Sequence, residues 1–193
     1  MQKNFITVLA IFIGSTCYPQ QTYLKLNLQE SYIKLSGTST FGNWKSKAKS
    51  FSGYFTYVGD KDLSSPKKGS ASIKIKSDSI ISRNRLRDKS THKALKSKEF
   101  PFITFTSNNG KLYKKKAENK IQLIITGILN IAGKSKKISL LVNLTKLSNN
   151  SILFKGYYKL KMTDYGVRPP SAFFGLIKVK DEILIDYRFV FST

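Results

Sequence analysis

Apolar side chains recur at every second position along most of this chain, a pattern typical of strands whose alternate side chains face a core. In 121–131 every odd position is apolar or glycine, while most of the even ones are polar. Turn-forming residues separate successive runs, and the sequence therefore predicts an all-β domain of antiparallel strands. The other runs lie at 24–28, 33–35, 51–57, 71–75, 103–105, 138–144, 152–160 and 177–191, and the turns at 41–43, 65–66, 109–110, 132–134, 149–150, 168–170 and 180–182.

One segment departs from this alternation. Arg87–Lys96 contains helix-forming residues behind Asp88 or Ser90, and either side chain can cap the free amides of a first turn. We expect one short helix here. His92 is expected on its exposed face among lysines, where it has no catalytic partner.

Three glycines share the phase of the large apolar residues in their strands: Gly53, Gly127 and Gly156. A glycine inside a strand marks a bend, a bulge or a close approach. A sandwich and a closed barrel both fit the pattern. The bends favour the barrel, because they let long strands curl around an interior.

The N-terminal residues predict a secretory signal peptide. Lys3 precedes the apolar run Phe5–Ile13, and small residues follow up to Cys17. A membrane span needs about 20 apolar residues, roughly twice this run. We predict a signal peptide over 1–20 and one mature domain over 21–193 that is secreted from the cytoplasm. Acylation of Cys17 is the alternative, although the residues before it lack a lipobox.

The composition excludes several kinds of site. With one cysteine and one histidine, the chain has no Cys/His zinc site, disulfide framework or Cys–His nucleophile pair. Asp60 and Asp62 have the spacing of a calcium loop but lack its further acids. There is no phosphate loop or dinucleotide fingerprint. We therefore expect no catalytic residue, no metal and no cofactor.

The charge is unusual, with 34 Lys and Arg against 11 Asp and Glu, a formal net charge of +23. Such a charge predicts attraction to anionic partners. Lys114–Lys116 would bind phosphates weakly, but the aromatic residues share the apolar phase and form no stacking platform. We expect no specific nucleic acid. Two explanations of the charge stay open. The partner is an anionic membrane surface or a pyrophosphate group, or a codon bias has enriched the chain in lysine.

Four segments, in this order, resemble proteins of the YceI-like family. A small-residue strand leads into an aromatic turn, a helix precedes an aromatic-Pro-x-Ile-x-Phe strand, a Gly-x-Leu-x-Ile strand turns at Gly and Lys, and a loop leads into the closing strands. Together the four segments span nearly all of the mature chain, and their occurrence in this order is quite specific for the family. The segments are Leu35–Trp44, Leu86–Phe105, Ile125–Ile138 and Met162–Val179.

The resemblance implies an eight-stranded antiparallel, lipocalin-like barrel beside one helix, with an elongated apolar pocket for a polyisoprenoid chain. With the signal peptide, it also implies a location in the bacterial periplasm or secretion. Arg168, held extended by the two prolines after it, is the candidate for binding a phosphorylated end of that chain. The alternative is a filled, ligand-free barrel that acts as a basic surface- or matrix-binding or stress-response module. Candidate pocket residues are the large side chains that point inward or lie near the last loop: Phe51, Phe55, Phe105, Ile125, Leu140, Tyr158, Phe173, Phe174 and Tyr187.

Overall fold

The computed structural model describes residues 21–58, 68–117, 120–147, 151–172 and 176–192. The predicted signal peptide, the Asp60 and Asp62 pair, and the candidate pocket residues Phe173 and Phe174 lie outside the described residues. No helix in the described part is long and apolar enough to cross a membrane.

The described ranges contain strands, one α-helix and two short 3₁₀ turns. The strands are β1 Gln21–Ser39, β2 Gly42–Ala48, β3 Phe51–Val58, β4 Lys68–Lys76, β5 Ile80–Ile81, β6 Phe102–Ala117, β7 Lys120–Ile131, β8 Lys134–Lys146, β9 Ile152–Lys161, β10 Ser171–Ala172 and β11 Ile177–Ser192; the helix α1 is Arg85–Ala94, and the 3₁₀ turns are Ser77–Ser79 and Met162–Tyr165.

Eight strand positions close into a barrel in which all neighbours are antiparallel. The ring runs β1, β3, β4, β6, β7, β8, β9 and β11, and β11 returns to pair with β1. β2 and β3 occupy one position of the ring, since β3 pairs with 21–25 of β1 and β2 with 34–39. The predicted all-β class and eight-stranded barrel are confirmed, and the sandwich alternative is wrong.

The period-two pattern is confirmed along β7, where odd positions are buried and even positions are half-buried or exposed. Gly127 fits this face because a Cβ there would collide with Thr106 O and the ring of Phe105. The partner strand β6 changes register between Thr106 and Asn109, directly opposite. This glycine therefore marks a close approach beside a β-bulge, as its in-strand position predicts.

Three local predictions are wrong. Asn109-Gly110 and 180–182 are not turns, because β6 and β11 run through them. Asp181 is held in its strand, where its carboxylate accepts hydrogen bonds from Thr163 N at 2.9 Å and Thr163 Oγ1 at 2.6 Å. Leu28 does not continue the inward series of β1, since the register with β11 shifts between Asn27 and Tyr32.

The helix begins earlier than predicted. Asn84, not Asp88 or Ser90, caps it, and Asn84 Oδ1 accepts hydrogen bonds from Leu86 N and Arg87 N at 3.0 Å each. An asparagine side chain satisfies these free amides as well as aspartate or serine does. The boundary was missed because 83–87 alternates basic and other residues and shows no helical period.

Aromatic rings fill the half of the barrel away from α1. Phe154 contacts Phe55 at 4.8 Å and Phe191 at 5.3 Å between ring centroids, both in edge-on arrangements that aromatic pairs favour. Phe189 lies 6.2 Å from Phe51 and extends the group towards the middle of the barrel. We name this group the aromatic cluster; its members are Phe51, Phe55, Tyr57, Phe154, Tyr187, Phe189 and Phe191.

Replacing Ile125 by Asp should unfold the domain. Ile125 is 6% exposed on the inner face of β7. An unpaired buried carboxylate costs several kcal/mol, against a typical total stability of about 5–15 kcal/mol. The matched control is Ile128→Asp on the same strand, where the side chain is 44% exposed. Circular dichroism melting should show a large loss for the first variant only; two similar melting curves would contradict the assignment of the inner face.

Candidate functional site: an apolar cavity beneath the helix

An apolar cavity of about 320 Å³ lies at the end of the barrel that carries α1. This volume is at the lower end of the range for small-molecule sites, which runs from about 300 to 1,000 Å³. Among its described lining residues the wall has no acidic side chain and is mostly aliphatic. The strands and loops contribute Ile33, Leu35, Ala48, Ile75, Ile80, Ile103, Leu129, Ile131, Leu160, Met162, Val167, Ile177, Val179, Ile183 and Ile185.

The long strands line the cavity with one part of their length and fill the barrel with the other. In β11, Ile183 and Ile185 line the cavity, whereas Tyr187 and Phe189 stack at 5.3 Å between ring centroids in the aromatic cluster. β1, β7 and β9 follow the same rule, with their residues nearest α1 on the cavity wall. The inside of the barrel is therefore filled at one end and open at the other.

Helix α1 covers one side of the cavity with residues spaced as on one helical face. Leu86, Ser90, Thr91, Ala94 and the neighbouring Leu95 all line the cavity. No residue of α1 is buried. The face that a helix normally packs against a core here borders an open cavity.

Two contacts tie α1 to the barrel. His92 Nε2 lies 2.9 Å from Ile80 O, at hydrogen-bonding distance. The Asp88 carboxylate accepts from Ser82 N at 2.7 Å and Ser82 Oγ at 2.8 Å. The prediction that His92 lies exposed among lysines is wrong, since the ring is half-buried and fastens the helix to β5.

The cavity reaches the surface beside the first turn of α1. Four lining residues are exposed: Asn84, Leu86 and Arg87 on the helix side and Ser171 of β10 on the other. We call this opening the mouth. Leu86 is 70% exposed and also lines the cavity, so its side chain stands at the boundary between cavity and solvent.

The wall carries few polar groups. Trp44 Nε1 is buried without a described hydrogen-bond partner, and its indole packs over Gly37. Tyr165 Oη lies near the Tyr158 phenol but outside hydrogen-bonding geometry. Burial, and secondarily Tyr158, raises the pKa of Tyr165, and burial alone raises that of Tyr187 in the aromatic cluster. These phenols stay protonated at neutral pH, so the interior holds no charge from them.

None of the described candidate pocket residues lines this cavity. Phe51, Phe55 and Tyr187 belong to the aromatic cluster, and Phe55 and Ile125 border a separate space of only about 20 Å³. Phe105 and Tyr158 lie on strands that contribute other residues to the cavity wall, whereas Leu140 lies on β8, which contributes none of the described lining residues. As contacts of a ligand these residues stay a prediction that the cavity does not support: Phe51, Phe55, Phe105, Ile125, Leu140, Tyr158 and Tyr187.

Arg168, the predicted site for a phosphorylated end, is exposed in the loop that leads to the mouth. Its neighbour Val167 and the following Pro170 line the cavity. Val179 N donates to Pro170 O at 3.1 Å and fixes this loop against β11. The guanidinium forms no ion pair with any described carboxylate. Its position is thus compatible with the predicted role, which stays a prediction.

Sequence reasoning missed the aliphatic residues that form the cavity. Large aromatic residues are predicted as lining because of their size. Large side chains, however, fill an interior and leave little space for a ligand. The spacing of Leu86, Ser90 and Ala94 was the available indication, because it predicts a helix face directed at the barrel.

Comparison with known proteins identifies the family. The YceI-like domain matches residues 24–191, nearly the whole described barrel. The chain belongs to the YceI-like family. This confirms the resemblance drawn from the four sequence segments. A separate search among curated proteins found no match to the sequence.

Several solved structures share this YceI-like fold. BcnA of Burkholderia cenocepacia is 20% identical with a TM-score of 0.67, over 86% of this chain and 98% of that one. A polyisoprenoid binding domain from Saccharophagus degradans, implicated in plant cell wall breakdown, is 13% identical with a TM-score of 0.64, over 90% and 99%. A Campylobacter jejuni YceI protein is 25% identical with a TM-score of 0.57, over 75% and 82%. At these identities the first two show the fold alone.

Removing the helix cap should loosen the cover of the cavity without unfolding the barrel. Asn84→Ala deletes the acceptor for Leu86 N and Arg87 N, which typically costs about 1 kcal/mol. Because α1 borders a cavity rather than the core, this loss should appear as local opening. Amide hydrogen exchange should speed up in α1 while the melting temperature changes little. The control is Asn130→Ala, which removes only a surface bond to Ser135 Oγ. Unchanged exchange in α1 would contradict the role of the cap.

Proposed function

We propose that this protein binds one long apolar chain of the polyisoprenoid type, with part of the chain inside the cavity beneath α1. The observation that carries this proposal is the aliphatic wall of the cavity, which offers an apolar chain a dry environment and offers a polar ligand almost no partners. The polyisoprenoid binding described for the Saccharophagus degradans neighbour supports the ligand class.

Burial alone would give such a complex its affinity. Each methylene group removed from water contributes about 0.8 kcal/mol, so a chain segment needs no specific polar contact to be retained. The aromatic cluster limits how far a chain enters, because Phe51 and Phe189 extend towards the middle of the barrel. A longer chain therefore leaves part of its length at the mouth. On this proposal the pocket is shorter than the elongated one that the resemblance implies.

We further propose that the protein acts in the bacterial periplasm or outside the cell, and that it is not an enzyme. The signal-peptide pattern over 1–20 supports the location. The described wall of the cavity offers Ser, Thr and Tyr hydroxyls but no histidine or carboxylate to activate them. A filled, ligand-free barrel in a basic surface- or matrix-binding or stress-response protein is the alternative. The aromatic cluster is the observation that favours it.

Filling the cavity should abolish ligand retention. Ala94 lies half-buried on the cavity side of α1, so Ala94→Phe places a ring in the space that a chain would occupy. The control is Lys89→Phe, on the exposed side of the same helix. Organic-solvent extraction followed by mass spectrometry should recover a long apolar molecule from the parent and the control, and little from Ala94→Phe. A parent that remains empty after exposure to isoprenoid lipids would favour the alternative.

The end group of the ligand can be tested separately. Arg168→Ala should leave a polyprenyl alcohol bound as before and weaken a polyprenyl phosphate by about 1.5–3 kcal/mol, the range of a charged hydrogen bond. Lys180→Ala, an exposed cation on the nearby β11, is the control for general charge. Competition between the two lipids, measured by native mass spectrometry, gives the ratio. Equal losses for both lipids would mean that Arg168 does not contact a phosphate.

A further inference from the structure

The most exposed large apolar side chains in the described part of the barrel all lie at its cavity end. Phe41 in the β1–β2 turn is 76% exposed, Leu176 before β11 is 71% exposed and Leu86 in α1 is 70% exposed. Single exposed apolar side chains are common on protein surfaces, whereas several of them grouped together mark an interaction site. Because these three side chains lie beside the opening of an apolar cavity, they indicate a contact surface at that end of the barrel.

Backbone contacts bring two of these side chains to the mouth. Thr40 N donates to Lys178 O at 3.0 Å, and Lys178 N donates to Thr40 Oγ1 at 3.1 Å. Phe41 and Leu176 lie one and two residues from this link. Lys178 also pairs with Ser171, the exposed residue on that side of the mouth. Phe41 and Leu176 thus flank one side of the opening, and Leu86 stands on the other.

Arginines concentrate at the same end. The chain has five, and Arg83, Arg85, Arg87 and Arg168 lie around the first turn of α1 or in the loop beside the mouth. All four are exposed and none forms an ion pair with a described carboxylate. Arginine presents a planar fork of donors that suits phosphate oxygens. The fifth, Arg188, is engaged differently, since its Nε donates to Glu30 O at 3.1 Å.

Lysines next to this group increase the density of positive charge. Lys47 at the end of β2 and Lys49 just after it are exposed, and Lys49, with a smaller contribution from Arg83, lowers the pKa of Lys47. Segment 83–98 alone carries seven exposed cations, while Asp88 is held by Ser82. Cations packed closely enough to repel one another are relieved by a multivalent anionic surface.

We propose that the mouth docks on an anionic lipid surface, with Phe41, Leu86 and Leu176 inserted among the headgroups and the four surrounding arginines bound to lipid phosphates. The inference rests on the proposed function and adds its partner: a chain can then pass between a bilayer and the cavity without crossing water. Exposed apolar residues ringed by cations are the arrangement that binds anionic bilayers. A nucleic acid would leave the three apolar side chains without an environment.

Flotation with lipid vesicles tests this surface. The purified protein is mixed with vesicles of phosphatidylcholine alone or of phosphatidylcholine with phosphatidylglycerol. We expect binding only to the second, weakened by salt. A basic residue near an anionic surface contributes about fivefold to affinity, so replacing three of them with Gln should reduce binding about 100-fold. The apolar triple variant Phe41→Ser, Leu86→Ser and Leu176→Ser should lose about tenfold or more. The three residues replaced in the charge variant are Arg83, Arg85 and Arg87.

Matched controls separate a docking surface from general attraction. Replacing Lys25, Lys120 and Lys155 with Gln removes the same charge from exposed sites away from the mouth and should change binding little. The apolar control replaces exposed side chains of the barrel wall with Ser. Equal losses for each variant and its control would overturn the docking surface, as would equal binding to both vesicle types. The residues of the apolar control are Ile128, Leu141 and Tyr157.

The two proposals fail in distinguishable ways. A parent that yields an extractable chain but does not float with anionic vesicles overturns docking and leaves the proposed function standing. A parent that floats with these vesicles, with the expected effects of the mouth variants, but remains empty after exposure to isoprenoid lipids overturns the proposed function. In that case the mouth is a membrane-binding surface on a ligand-free barrel.

Discussion

The pairing of β1 with β11 is the constraint on which the rest of the molecule depends. It closes the sheet, so no strand of the ring is left with an unpaired edge. The ladder is interrupted between Asn27 and Tyr32, and the gap is bridged by other bonds: Val190 N donates to Ser31 Oγ at 2.9 Å, and Arg188 Nε donates to Glu30 O. Val190 is fully buried at this point. Closure creates the enclosed interior, and everything proposed for the site follows from how that interior is filled.

The interior is filled unevenly because the inward positions of the strands carry aromatic side chains at one end of the barrel and aliphatic side chains at the other. Aromatic side chains bury large areas and interlock at the end away from α1, whereas aliphatic side chains of smaller reach line the other end. A helix then covers the open end, where Ala94 and Leu95 pack against the core although no residue of the helix is fully buried. The same closed wall is thus filled where the rings meet and hollow where α1 crosses. The change of side-chain size along shared strands is enough to leave a cavity at one end.

Sequence reasoning therefore succeeds for the wall and fails for the space inside it. Alternation along β7 predicts which side of each strand faces inward, since a strand has only two faces. Alternation does not measure how full the interior is, so it cannot separate residues of the aromatic cluster, such as Phe55 and Tyr187, from residues that border the cavity. Local turn chemistry also misled at Asn109 and Asp181, where tertiary pairing carries a strand through a turn-like sequence. The cap at Asn84 was missed because basic residues alternate with others over 83–87 and show no helical period.

The positive charges of the chain contribute little to the stability of its fold, so their positions call for another explanation. The buried polar residues described are serines and one threonine, and none is charged. The three described ion pairs are exposed and contribute at most about 1 kcal/mol each. Stability thus places no demand on where the cations lie. Helix α1 carries exposed cations and also borders the cavity, so the proposed lipid contact and the proposed chain-binding site share one element, which is held by Asn84, Asp88 and His92.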